Sequence, residues 1–339
     1  MSLEGYYKVV ELESFGGRLK IKERSLRNVA ENEVLVKIKY TTINSADFLF
    51  LKGDYSNINA TIFPVVPGFE GCGEIVKVGA EVDRSFVGKR VSILADLSHP
   101  GTFDGLWAEY HYTHLSNLLV FDENFEYEKI ISVLNPLTSI GIFDTVRKLK
   151  VESFFQTDSP CSRMIYNLCS RDGIKVVNIV KDENSYKSLK AINACNVVKI
   201  SDLDWEKELH KICLHFKVNT GFSYLSGKAA GDILSAMPSE STLYQFGEMS
   251  ELNLDGIHSS DLIFDDKVIK GWWVVRWMQA LTQDEILYWM NYLQTEIKSN
   301  SGVFDPNQIK TFKITELYEA INYYSENANC CNVIIQISK

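Results

Sequence analysis

The 339-residue sequence is short of several things, and each shortage closes off a class of protein. No apolar run approaches the roughly 18–20 residues that a membrane-crossing helix needs. Positive charge is in deficit, with 35 Lys and Arg against 44 Asp and Glu and a net charge of −9. Such a surface repels polyphosphate chains, so nucleic acid is not an expected partner. The seven cysteines, at positions 72, 161, 169, 195, 213, 330 and 331, contain no Cys-x-x-Cys pair and no regular spacing. Neither a disulfide framework nor a structural zinc lobe is indicated, and reduced, buried thiols are expected. The start, Met1-Ser2-Leu3-Glu4-Gly5, lacks a secretory apolar core and an Arg-rich transit helix, which by itself points to the cytosol. Glycine is missing altogether between Gly141 and Gly173.

What is present is ordinary for a globular chain: 45% apolar and 23% charged residues. The length exceeds what one hydrophobic core usually serves, so two domains are expected. The first third is β-rich. Val34 to Tyr40 alternates at period two, and Gly73 to Gly79 and Lys89 to Leu94 are further short strands between turn residues. Helices are scarce before Glu128. From Phe154 the rhythm becomes strand, helix, strand, with Ile174 to Val180 a mostly apolar run, interrupted by Lys175 and Asn178, suited to a doubly covered parallel sheet. Helical spacing recurs at Ser185 to Ala194, Trp205 to Phe216, Ala229 to Met237, Asp284 to Ser299 and Thr315 to Glu326. Gly271 to Trp277 reads as an apolar strand.

The missing glycines matter because of where the gap falls. Phe154 to Arg163 reads as a buried strand leaving into a turn, and a helix follows from Met164 to Arg171. A dinucleotide-binding fold puts its glycine-rich turn at that point, since bare backbone must approach the pyrophosphate. Here the turn offers Thr157, Asp158, Ser159, a proline without an N–H, and Ser162.

Several segments carry a family likeness: Asn44-Ser45-Ala46-Asp47, Lys52-Gly53-Asp54-Tyr55, Pro67-Gly68-Phe69-Glu70-Gly71-Cys72-Gly73-Glu74, Asn135-Pro136-Leu137-Thr138-Ser139, Gly173 to Asp182, and Leu262 to Trp273 running on to Trp277. With them the whole chain resembles the medium-chain dehydrogenase/reductase superfamily, above all its zinc-free quinone oxidoreductase-like proteins and mitochondrial 2-enoyl thioester reductases. The resemblance implies an α/β protein. A GroES-like β-rich domain would span residues 1–129 and 302–339, and a Rossmann-like doubly wound parallel-sheet domain residues 130–301. It also implies Tyr55 as the acid protonating the substrate α-carbon, Asn44 and Thr138 as positioning groups, and Trp273 and Trp277 as walls of an acyl pocket. The alternative for Tyr55 is an ordinary loop tyrosine, and for the tryptophans core or interface. Zinc is not expected, because Phe69 stands where zinc-using relatives carry His and cannot ligate a metal.

The cofactor side departs from the family pattern at three places. The turn at Thr157, Asp158, Ser159 and Ser162 has lost its glycines and is about two residues shorter. Lys181 could meet an NADP 2′-phosphate, but Glu183 opposes it. The family's Gly-Gly-Met-x-Lys turn reads Gly247-Glu248-Met249-Ser250-Glu251, while Ser226-Gly227 is retained. The expectation is a degenerate reductase that binds no cofactor and acts as a structural or accessory subunit, in mitochondria by resemblance. It would assemble through an edge strand at 267–277, as a homodimer or with another protein. The alternative is a working NADPH-dependent reductase of 2-enoyl thioesters or quinones.

Overall fold

The computed structural model describes residues 5–55, 61–96, 103–247, 253–304, 308–327 and 331–338. Two units divide the chain, Met1–Leu134 with Pro306–Lys339, and Asn135–Asp305. None of the described helices is long and apolar enough to cross a membrane.

In the first unit, period-two patterning does what it should. The strands Gln308–Lys313, Cys331–Gln336, Glu33–Ile43, Glu70–Val78, Arg90–Leu94 and Leu118–Phe121 lie side by side in that order, and Tyr110–His114 also pairs with Glu33–Ile43. All contacts are antiparallel except the first, which joins the C-terminal pair in parallel. A separate hairpin links Tyr6–Leu12 with Leu19–Ser25. The core gathers Val34, Val36 and Ile38 from one face with Ile75, Ile93, Phe50 and Trp107, all fully buried. Gly68 shows why one glycine is needed there: its φ is +107°, and a Cβ would lie 2.4 Å from the Trp107 ring.

The early helix Ser45–Lys52 was not expected from the periodicity. Its apolar residues, Phe48, Leu49, Phe50 and Leu51, run consecutively instead of at helical spacing. The start signal is local instead, with Asn44 before the first turn and Asp47 inside it.

His111, on Tyr110–His114, is 7% exposed. Burial pushes its pKa down to about 4, against the backbone contact with Gly105. Its folded pKa lies below the ordinary 6.5, so the unfolded chain takes up the proton first as pH falls. The His111 contribution to stability therefore falls between those two values, by up to about tenfold in the unfolding constant per pH unit. The pH slope of urea unfolding across that range should differ between wild type and His111→Gln by about that amount; equal slopes would exclude the His111 contribution.

The second unit is α/β. Its six strands are all parallel, in the order Val197–Lys199, Lys175–Val180, Ser153–Thr157, Thr220–Ser223, Thr242–Gln245 and Val268–Gly271. The chain adds strands to one side of Ser153–Thr157, then returns to add Thr220–Ser223 on the other. That reversal is the topological switch point, where open sheets of this kind bind ligands beyond the strands' C-terminal ends. The long helix Gln283–Ser299 begins with a Thr282–Glu285 capping box.

The apolar stretch expected as one strand is split. Only Val268–Gly271 pairs, at the sheet edge, and Val274–Gln279 is helical. Val274 and Trp277, three residues apart, are the buried residues of that short helix. The Trp277 ring lies against Gly141, where a Cβ would come within 2.9 Å of it.

Candidate functional site

Cofactor-site residues from the sequence converge on the switch point in the second unit, and the turn there is closed on itself. Every residue of Ser153–Thr157 is buried, as are Asp158, Ser159, Cys161 and Ser162. The Asp158 N–H donates to Ile179 O at 2.7 Å, and the Ser159 N–H to Ser162 Oγ at 2.8 Å. Pro160 has no N–H. The Cys161 N–H donates to Ser159 Oγ at 3.2 Å, and the Ser162 N–H to Ser159 O at 3.2 Å. Ser162 Oγ in turn donates to Thr157 O. A pyrophosphate needs such N–H groups pointing at it. From Asp158 to Ser162 they all have protein partners.

The crevice is also bridged from its far side. Thr157 Oγ1 accepts the Tyr224 N–H at 2.7 Å, tying together the ends of the two strands that flank the switch point. The Tyr224 ring is 7% exposed and packs against Phe246. A Cβ on Gly247 would stand 2.0 Å from that ring. Gly247 thus makes room for a tyrosine of its own chain. Gly227, with φ +61° and ψ −147°, adopts a backbone only glycine tolerates, and its N–H and C=O pair with Asn253 and Asp255. Ser226 is buried beside it.

The acidic groups sit differently from the sequence-based expectation. Asp158 is 4% exposed and its carboxylate accepts the Ser185 hydroxyl at 2.6 Å. Glu183 does not oppose Lys181; it pairs with Lys199 at 3.0 Å and Lys187 at 3.9 Å. Lys181 is exposed, and Asp182 caps the helix Glu183–Lys190. Residues 248–251 lie outside the described residues. The turn's backbone donors at Asp158, Ser159, Cys161 and Ser162 are thus engaged within the protein.

Of the residues assigned to chemistry, Asn44 and Tyr55 lie in the first unit and Thr138, Trp273 and Trp277 in the second. Trp277 is 9% exposed, with its indole N–H on Asp144 at 2.8 Å. Trp273 is half-buried at the N-terminus of Val274–Gln279, and Thr138 is half-buried on Leu134–Leu149. Tyr55 is half-buried with its ring 5.1 Å from that of Phe69, inside an aromatic group that includes Phe50 and Phe103. Both amide hydrogens of Asn44 are engaged, with Thr42 Oγ1 and Glu70 Oε1 at 2.9 Å each. Among the described residues, no group of three or more His, Cys, Asp or Glu is placed to hold a metal ion. A cavity of about 820 Å³ in the first unit is lined by Tyr7, Arg24, Arg27 and Tyr112 among others. Both guanidiniums there are paired, Arg24 with Glu11 and Asp104 and Arg27 with Glu33, so an anion finds no unpaired arginine.

Two features were missed in the sequence. Glu70 is 0% exposed and accepts from Thr42, Asn44 and Ser132 side chains and from the Val133 and Leu134 N–H groups. Tyr224 is the other. A glutamate amid apolar residues and glycine at Phe69-Glu70-Gly71 was the available signal for the first; nothing local marks the second.

Residues 30–122 match the alcohol dehydrogenase GroES-like domain. A mitochondrial enoyl-[acyl-carrier-protein] reductase of Arabidopsis thaliana is 27% identical over 274 residues, covering 78% of this chain and 70% of that protein. A quinone oxidoreductase structure from Pseudomonas syringae superposes with a TM-score of 0.79 at 19% identity, covering 98% of this chain and 100% of that one. A mitochondrial 2-enoyl thioester reductase heterodimer from Candida tropicalis gives 0.77 at 18% identity, with 98% and 100% covered. With a GroES-like domain, a parallel-sheet Rossmann-like domain and reductase relatives along most of its length, the chain belongs to the medium-chain dehydrogenase/reductase superfamily.

Proposed function

We propose that this protein keeps the frame of an enoyl thioester or quinone reductase without its dinucleotide chemistry, and serves as a non-catalytic, protein-binding subunit. One observation carries the reading: each backbone N–H from Asp158 to Ser162 is hydrogen-bonded within the protein or, at Pro160, absent. The test is turnover. Purified protein with NADPH and a crotonyl thioester, or a quinone, should oxidise no cofactor above the protein-free rate. Sustained oxidation proportional to protein concentration would sink the proposal.

A working NADPH-dependent reductase is the second reading, and the relatives favour it, since the proteins matched over most of the chain are named as reductases. Tyr55 is then the acid. Under that reading Tyr55→Phe lowers turnover and leaves NADPH affinity unchanged; equal turnover in the two proteins would remove Tyr55 from the chemistry.

The protein-binding role is supported by the edge of the second unit's sheet. Val268–Gly271 is the terminal strand, and Leu262, Ile263 and Phe264 beside it are 44%, 69% and 82% exposed. Beneath them a buried ion pair, Lys267 with Asp261 at 2.9 Å, holds the segment in place. An open strand edge flanked by apolar side chains is a docking surface. The occupant is a second copy of the chain or another subunit, in mitochondria as in the named relatives. Native mass measurement should give a species well above 38.6 kDa, and Phe264→Glu should shift it toward the monomer. A monomer at micromolar concentration in both proteins would overturn this part.

A further inference from the structure

The cavity of about 820 Å³ in the first unit takes its walls from the Tyr6–Leu12 and Leu19–Ser25 hairpin and from the strand Tyr110–His114. Those walls are fastened. Tyr112 Oη accepts the Arg27 N–H and donates to the Arg27 C=O, at 2.9 Å each. Arg24, opposite Tyr7 in the hairpin, bonds Glu11 at 2.9 Å and Asp104 at 3.0 Å, and Arg27 pairs with Glu33 at 2.6 Å. With both guanidiniums occupied, the charge left over is negative. Glu23, Glu33, Asp96 and Asp104 line the space against Arg24 and Arg27, an excess of two carboxylates among the described lining residues. His111, whose pKa burial holds at about 4, adds no positive charge at neutral pH.

Tyr7 is a second and independent sign of a ligand. It is 6% exposed and lines the cavity, yet among the described residues its hydroxyl has no hydrogen-bond partner. The hydroxyl lies among the cavity's charges: burial pushes its pKa up, Asp104 adds to the rise, and Arg24 and Arg27 oppose it. Buried hydroxyls are ordinarily bonded, and this one borders open space. The carboxylates, moreover, are not gathered at a point. Among the described residues no three His, Cys, Asp or Glu side chains are placed to hold a metal ion. Separated negative charges in a space of this size suit a ligand whose positive charges are also separated.

We propose that this cavity binds an aliphatic polyamine, with its ammonium groups on the Glu23 and Asp104 carboxylates and on the Tyr7 hydroxyl oxygen. An ammonium only donates, and these groups supply the acceptors it needs.

Spermidine is the probe, followed by equilibrium dialysis against the full chain at low ionic strength. It should saturate one site per chain below millimolar concentration. Tyr7→Phe removes the hydroxyl, keeps the ring and should weaken binding about tenfold, as loss of a hydrogen bond to a charged group does. Glu23→Gln should weaken it about threefold, and it serves alone should Tyr7→Phe fail to fold. Magnesium at matched ionic strength should leave the bound spermidine in place. Absence of binding, binding at several equivalent sites, displacement by magnesium, or wild-type affinity in the folded variants would each overturn the proposal.

Discussion

NADPH titrated to about millimolar concentration should produce no saturable change in intrinsic tryptophan fluorescence. Trp272, Trp273 and Trp277 follow the edge strand of the same sheet and would report on the crevice. A micromolar complex corresponds to about 8 kcal/mol. Charge-assisted bonds from a phosphate turn are worth about 1.5–3 kcal/mol each. In this turn, making such a bond first requires breaking one to Ser159, Ser162 or Ile179. The Tyr224 ring must also leave its place against Gly247 and Phe246. Three such losses, at least about 4.5 kcal/mol together, move the dissociation constant beyond millimolar. Quenching that saturates at micromolar NADPH would refute the closed turn directly, whatever the protein then does with the cofactor.

Glu70→Ala should be the most damaging single substitution in the first unit, costing at least about 3 kcal/mol. It leaves five donors without their acceptor, and those on Thr42, Asn44 and Val133 belong to buried residues. Each orphaned buried donor costs about 1–3 kcal/mol, though the costs do not add fully. Glu70→Gln keeps one acceptor oxygen and should recover part of the loss. Thr42→Val removes one donor and should cost about 1 kcal/mol. Urea midpoints give the ranking, and a Glu70→Ala loss below that of Thr42→Val would show that the carboxylate does not organise the cluster.

Much of the frame was legible in the residues. Val34 to Tyr40 declared a half-buried strand by alternation, and Ile174 to Val180 a doubly covered one by its predominance of Val and Ile; both stand where expected. Trp205 to Phe216 shows the same for helical spacing. Patterns of this kind are local, because each element must present one apolar face whatever its neighbours are. The helix Ser45–Lys52 escaped notice because its apolar residues are consecutive and its packing comes from distant strands. Gly271 to Trp277 misled for a related reason: a run of large apolar residues suits a strand or a buried short helix equally, and contact with Gly141 and Asp144 decided for the helix.

By itself the sequence determined that a glycine-free turn ends the first strand of a parallel sheet, since side-chain volume and a missing proline N–H are properties of the residues alone. Only the tertiary structure decided where the turn's hydrogen bonds go, that Gly247 accommodates Tyr224, and that Glu70 gathers donors from two separated stretches of chain. Outside the turn's own short-range bonds, those contacts join residues far apart in the chain, and no local periodicity encodes a partner that the fold brings in from elsewhere.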